Sequence, residues 1–192
     1  GPVGRLAAMV YVRGPEPERG AAAMSASSLL LSLLREKAWA DEALVAAVMA
    51  LDEATQAEAR QAATRTLNHI HVVDRIWAAQ LEGRAHGYEA TNTREMPVLA
   101  DLAAGFREMG RWFVDYASRL DAARLAEPVD FVFTDGQNGR MTREEILAHV
   151  VTHGSYHRGA VGRVLVNAGV SPPGDALTVL LHLEQPQRRS RP

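Results

Sequence analysis

Five of the seven histidines fall on two stretches with strong helical periodicity: His69 and His71 on one, and His149, His153 and His157 on the other. At ~100° of rotation per residue, side chains four apart stack on one face of a helix. His153 and His157 therefore form a pair of imidazoles able to share a metal ion. On that helix the apolar stripe reads Leu147, Val150, Gly154, His157, Val161 and Val164. This places His157 within the stripe, His153 at its edge, and His149 further round toward solvent, as a surface residue or one that supports the ligands from behind. His69 and His71 are about 200° apart, so only one can face inward. His69 neighbours Thr66, Ile70 and Val73 on the apolar side, which makes it the natural third ligand, while His71 points away. Three imidazoles would leave positions on a divalent ion open to water or substrate, the pattern of a catalytic rather than a closed structural site. The bland reading of a lone histidine pair is packing, and the zinc-protease motif needs Glu where Gly154 stands, so proteolysis is disfavoured. Gly154 itself implies that a neighbouring helix or ligand comes close there, because a mid-helix glycine costs about 1 kcal/mol relative to alanine.

The chain around these residues is almost all helix signal. A first helix is expected over about 27–51, a second over about 55–81, and a third from near Pro97 to Leu120. A fourth runs from Thr142 to about Asn167, opened by a capping box of Thr142 and Glu145 and closed at Gly169. Phe131-Val132-Phe133, followed by Asp135-Gly136 and Asn138-Gly139, reads as a short extended segment with tight turns. Four long helices without a strand-rich block predict an all-α four-helix bundle. Residues 1–24 read as a flexible extension, 25–183 as the bundle, and 184–192 as a solvated tail.

Bulk composition narrows the function classes. The chain has 192 residues, a net charge of −2 and no cysteine. There is no basic excess to grip a phosphate backbone, so nucleic acid is not expected as a partner. A thiolate metal site, a cysteine nucleophile and disulfides are excluded. The apolar runs fall short of the ~20 residues a membrane span needs, and a cytoplasmic protein is expected. His86 and His182 fall in loop or terminal regions, and Trp39, Trp77 and Trp112 read as core or interface residues.

Four motifs, in order and spacing, give the chain a family likeness. The run from His149 to Gly159, ending His-Gly-Ser-Tyr-His-Arg-Gly, resembles the last-helix signature of the DinB family. The run from Leu67 to Trp77 resembles that family's second-helix motif, Ala38-Trp-Ala-Asp41 its first-helix motif, and Gly169 to Asp175 with the following Ala-Leu-Thr-Val its ending. The resemblance implies a DinB-like four-helix bundle with a long crossover connection, paired into a homodimer. It also implies a divalent transition metal ion, zinc or nickel, one per chain, on His69, His153 and His157. Some relatives of this type are metal-dependent thiol transferases or isomerases that use a low-molecular-weight thiol. Asp41 stands where the family usually has Asn, and Ala160 where Gln is common.

Three functions fit these residues. The first is a metal-dependent enzyme joining a thiol to a small-molecule electrophile, with Arg158, Tyr156 or Trp77 orienting the substrate. The second is a metal-dependent hydrolase with Asp74, Glu145 or Asp135 as general base. The third is a dimeric, non-enzymatic stress protein with a structural or sensing metal, which a site lacking an adjacent pocket would favour.

Overall fold

The computed structural model describes residues 25–189. The extension assigned to 1–24 and the last three residues of the tail lie outside them. The described elements are α1 (Ala26–Met49), α2 (Ala57–Glu82), α3 (Leu99–Ser118), a single turn α4 (Ala122–Leu125), strands β1 (Pro128–Val132) and β2 (Asn138–Thr142), α5 (Arg143–Asn167), α6 (Leu177–Glu184) and a 3-10 turn (Pro186–Arg188). The four long helices fall where the periodicity places them, with ends shifted by one or two residues. Thr142 caps α5 and exchanges the expected reciprocal bonds with Glu145. None of the described helices is long and apolar enough to cross a membrane.

Helix direction follows from the connections. A short turn at 50–56 reverses the chain between α1 and α2. Gly83, at φ +68° in the left-handed region that glycine tolerates, then ends α2. The segment from 84 to 98 runs back along α2: Arg65 donates to the Thr93 carbonyl, and the Asn68 amide to Asn92 Oδ1 and Thr93 Oγ1. α3 therefore starts beside the start of α2 and runs parallel to it. This segment is the long crossover. α5 returns antiparallel, its Arg143 bonded to the Leu81 carbonyl at the end of α2 and to Tyr116 near the end of α3. The bundle is up-down-down-up, with α1 packed between α3 and α5, and α2 between the same two on the far side.

A two-stranded hairpin closes the lower end, with Phe131 opposite Gly139. The expected turn at Asp135-Gly136 forms, with Gly136 at φ +87°. Asn138-Gly139 is strand rather than a second turn. Its glycine is there for space: a Cβ at 139 would collide with the Phe131 and Phe133 rings that lie across it.

The core is divided. One apolar cluster gathers Leu30, Leu34, Trp77, Phe113 and Leu147 at the hairpin end, and another gathers Leu44, Val48, Leu67, Phe106 and Val161 at the opposite end. Three helices show why. Their buried seams run Leu30-Leu34-Lys37-Asp41-Leu44-Val48, Ala63-Leu67-Ile70-Asp74-Trp77-Leu81 and Leu147-Val151-Gly154-Arg158-Val161-Leu165, each spaced four and three. Every seam is apolar except at its middle, and there the charges meet.

Candidate metal centre

The layer between the two clusters is an ion-pair network of buried Glu36, Lys37, Asp41, Asp74 and Arg158, with Asp175 at its partly exposed edge. Lys37 Nζ donates to Asp41 at 2.6 Å and to Asp74 at 2.5 Å. Arg158, 2% exposed, reaches Asp175 at 2.7 Å, Asp41 at 3.1 Å and Glu36 at 3.4 Å. Asp41 is thus the bridge between the two cations, which a neutral Asn at that place could not be in charge terms. Four carboxylates face two cations here, and burial acts on the surplus. It pushes the Glu36 carboxyl up to about 7, with the neighbouring Asp175 adding to the effect, and the Asp74 carboxyl up to about 6. Burial also works against the charge on Lys37, but Asp41 and Asp74 outweigh it and hold the amine above its ordinary value. Gly154 lies against this network: a Cβ there would stand 2.8 Å from Lys37 Cε and 3.3 Å from Arg158 Nη1.

Against this layer, on the side where α2 and α5 pack, the three histidines come together. His69 Nε2 and His153 Nε2 are 3.0 Å apart, and the ring of His157 lies 4.5 Å, centre to centre, from each of the other two. One ring nitrogen from each of His69, His153 and His157 falls within 4.8 Å of the others. The buried stripe of α5 actually runs through Arg158. His153 and His157 both sit on its α2-facing flank, because α5 is wedged between α1 and α2 and the stripe points between them.

The donor set fits a divalent ion. His69 Nδ1 lies 2.8 Å from the Thr91 carbonyl. A carbonyl only accepts, so Nδ1 carries the proton and Nε2 presents its lone pair to the centre of the cluster. Two imidazole nitrogens facing each other at 3.0 Å need a proton or a cation between them, since two lone pairs repel. Nitrogens bound tetrahedrally to one zinc ion stand about 3.3 Å apart at normal bond lengths, so little movement is needed. Protons compete poorly. Burial, then the neighbouring His157, His69, His149 and Lys37 together depress His153 to about 3, and burial and His69 lower His157. Both imidazoles are accordingly neutral, the ligating form, at pH 7. Proton competition at these two positions sets in only below the ordinary imidazole value near 6.5. Metal affinity should therefore hold from pH 8 to 7 and fall on further acidification, as titration against a chromophoric chelator will show.

The remaining histidines divide differently from the sequence reading. His149 is not turned to solvent. It is half-buried, its ring 5.6 Å from that of His153 and packed edge-on against Trp77 at 5.4 Å. The Trp77 ring covers His149 and keeps it beside the cluster. His71 does point away from the cluster, but into the contact with α3. It lies on Phe106 and under Gly105, its Nε2 buried without a partner among the described residues and its pKa depressed to about 4, mainly by burial.

Other sequence candidates are spread apart. Tyr156 is 78% exposed, and Arg158 belongs to the ion network. Trp77 lies beside the cluster as part of a pocket wall. Asp74 is paired with Lys37, Glu145 accepts from the backbone N–H of Thr142, and Asp135 accepts within the hairpin turn. Sequence reading missed the Thr91 carbonyl, for which no side-chain signal exists. It also missed Lys37, and it named Asp74 as a general base rather than as the buried partner of that lysine, which a charge inside a four-three apolar seam could have flagged.

Asn68 ties the crossover strand that carries Thr91. Asn68→Ala should lower metal affinity on the order of 10-fold, as losses of supporting hydrogen bonds around metal-bound imidazoles do. Isothermal titration with zinc measures it, and affinity within twofold of the parent would show that the crossover holds its place without Asn68.

A helical bundle with three imidazoles converging between two antiparallel helices defines a class of protein suited to hold one metal ion within its fold. The DinB family model matches residues 24–189, and the chain belongs to that family. It is similar to the "Protein DinB" of Bacillus subtilis (strain 168), with 26% identity over 122 residues, 58% of this chain and 68% of that protein. No solved structure matches.

Proposed function

We propose that the protein binds one zinc or nickel ion per chain through His69, His153 and His157 and acts as a metal-dependent enzyme of the thiol S-transferase or isomerase type. The observation that carries this reading is the convergence of three imidazoles with the His69 tautomer set by the Thr91 carbonyl. Imidazole ligation suits both ions. A divalent ion held there would lower the pKa of a thiol or water placed upon it. The chain's own part is to keep the imidazoles neutral and orientated, and to offer a substrate-sized space at their edge. That space, about 190 Å³ between α2, α5 and the hairpin, has His69, His149 and His153 in its wall. A pocket beside the ligands supports the enzymatic reading over a purely structural metal. The hydrolase reading loses support, because Asp74, Glu145 and Asp135 are each engaged elsewhere and none of them lines the pocket. A low-molecular-weight thiol as co-substrate and a homodimeric assembly complete the proposal, both on the family resemblance.

The test is elemental analysis of the untagged protein beside a His69→Ala/His153→Ala/His157→Ala variant. About one equivalent of zinc or nickel in the parent and none in the variant is the expected result. Equally little metal in both, even after dialysis against each ion, would reduce the histidines to packing residues. Light scattering after size exclusion checks the dimer against the chain mass of 20.9 kDa.

A further inference from the structure

The space beside the histidines is unlike the rest of the surface in its chemistry. Three aromatic rings make its wall in a continuous edge-to-face series: Trp77 on Phe131 at 4.8 Å, and Phe131 on Phe133 at 5.0 Å, centre to centre. Val73 and Ile76 of α2 add an aliphatic side. None of its lining residues is Lys, Arg, Asp or Glu, among the described residues. Its polar groups are largely committed: Gln80 donates to the Val132 carbonyl, and the Thr91 carbonyl takes the His69 proton. The imidazoles stand at one end, and the Thr134 hydroxyl and the Gln80 carbonyl oxygen are the other polar atoms of the wall.

Size and polarity together select a ligand. An apolar cavity of about 150 Å³ accepts a benzene molecule and excludes water. At about 190 Å³ this pocket, open on one side, seats one six-membered ring with a small substituent, and anything larger would extend out past the hairpin. Away from the histidine end, a charged group entering it would lose its hydration without meeting an opposite charge. An aromatic guest, by contrast, would gain edge-to-face contacts from Trp77 and Phe133 beyond the area it buries.

We infer that the pocket between α2 and the hairpin seats an uncharged monocyclic aromatic group, which makes the electrophilic substrate an aryl compound whose reactive atom projects toward His69 and His153. This rests on the metal-enzyme reading above and names its substrate class. A bulky or charged thiol would then approach from the open side of the cluster near His157 and Tyr156, outside the pocket.

p-Cresol serves as the probe, with benzoate and benzylamine as charged counterparts. Binding to the full chain is followed by Trp fluorescence and calorimetry, with zinc and with chelator, and zinc binding is measured in parallel. Saturable one-to-one binding of p-cresol is expected, and in chelator, where no ion can attract a carboxylate, it should be at least tenfold tighter than that of either charged ring. Phe133→Ser should weaken it about tenfold while zinc binding stays within twofold. Phe133 is 47% exposed, so its loss leaves the core intact. Val73→Phe, which fills the pocket from α2, should abolish it, with a thermal melt verifying the fold. Normal zinc binding with no saturable p-cresol binding, with benzoate bound equally well in chelator, or with no effect of Phe133→Ser would overturn the inference and leave the metal reading standing. p-Cresol binding in a protein that takes up no metal would remove the metal reading, and the substrate assignment with it.

Discussion

Lys37→Met will destabilise the protein by about 3–5 kcal/mol, the range found when one partner of a buried ion pair is deleted. Methionine fills much the same volume, so the effect comes from charge. Asp41 keeps Arg158, but Asp74, 1% exposed, loses the only partner it has: its Oδ2 is bonded to Lys37 and its Oδ1 has none among the described residues. An unpaired carboxylate at that depth avoids the cost by taking up a proton. The sign of the pH dependence follows. Burial already raises Asp74 from 3.8 to about 6 with the lysine present, and removal of the lysine raises it further. The folded variant then binds a proton that the unfolded chain releases. Its stability is greatest at mild acid pH and declines as pH rises through the folded value. Urea unfolding of parent and variant at pH 5 and pH 8 tests this. A loss under about 1 kcal/mol, or a variant gap that narrows from pH 5 to pH 8, would contradict the role given to Lys37.

Gly154→Ala is the second large effect, and there two terms oppose each other. Alanine in a helix interior is favoured over glycine by about 1 kcal/mol. Against this, the new methyl would stand 2.8 Å from Lys37 Cε. A lysine end usually swings aside at little cost, but this one is held by Asp41 at 2.6 Å and Asp74 at 2.5 Å. Displacing it means shifting α5 or loosening the network, and overpacking of this kind costs about 1–3 kcal/mol. The steric term wins, for a net loss of up to about 2 kcal/mol after the propensity gain. Because His153 is the adjacent residue, zinc affinity should fall as well, by several-fold. Unfolding and zinc titration read the two effects separately. A more stable variant with unchanged zinc affinity would show that Lys37 yields freely.

The four long helices were legible because their seams repeat at four and three over five or six turns. The triad was legible because angular position on one helix depends only on residue number: His69, His153 and His157 follow from counting. Even the need for space at Gly154 could be inferred, although what fills the space could not. Angular reasoning failed where it assumed a single buried direction for each helix. α5 packs against both α1 and α2, so its stripe centres on Arg158 and the histidines flank it. α2 packs against both α3 and α5, so His71 is sheltered on one side while His69 faces the cluster from the other. His149, placed in solvent by angle alone, is covered by Trp77.

Local order therefore determined the elements, their caps and the residue types able to hold a metal, since periodicity, turn chemistry and helical angle are properties of adjacent residues. Tertiary structure alone decided which groups meet across the fold. It brought Lys37 of α1 to Asp74 of α2 and Arg158 of α5 to Asp175, and it laid the crossover so that the Thr91 carbonyl sets the His69 tautomer. It also folded the hairpin against α2 to make an aromatic wall. These contacts join residues tens of positions apart, and the directions in which helices run and the faces they share carry no signature in any short stretch of sequence.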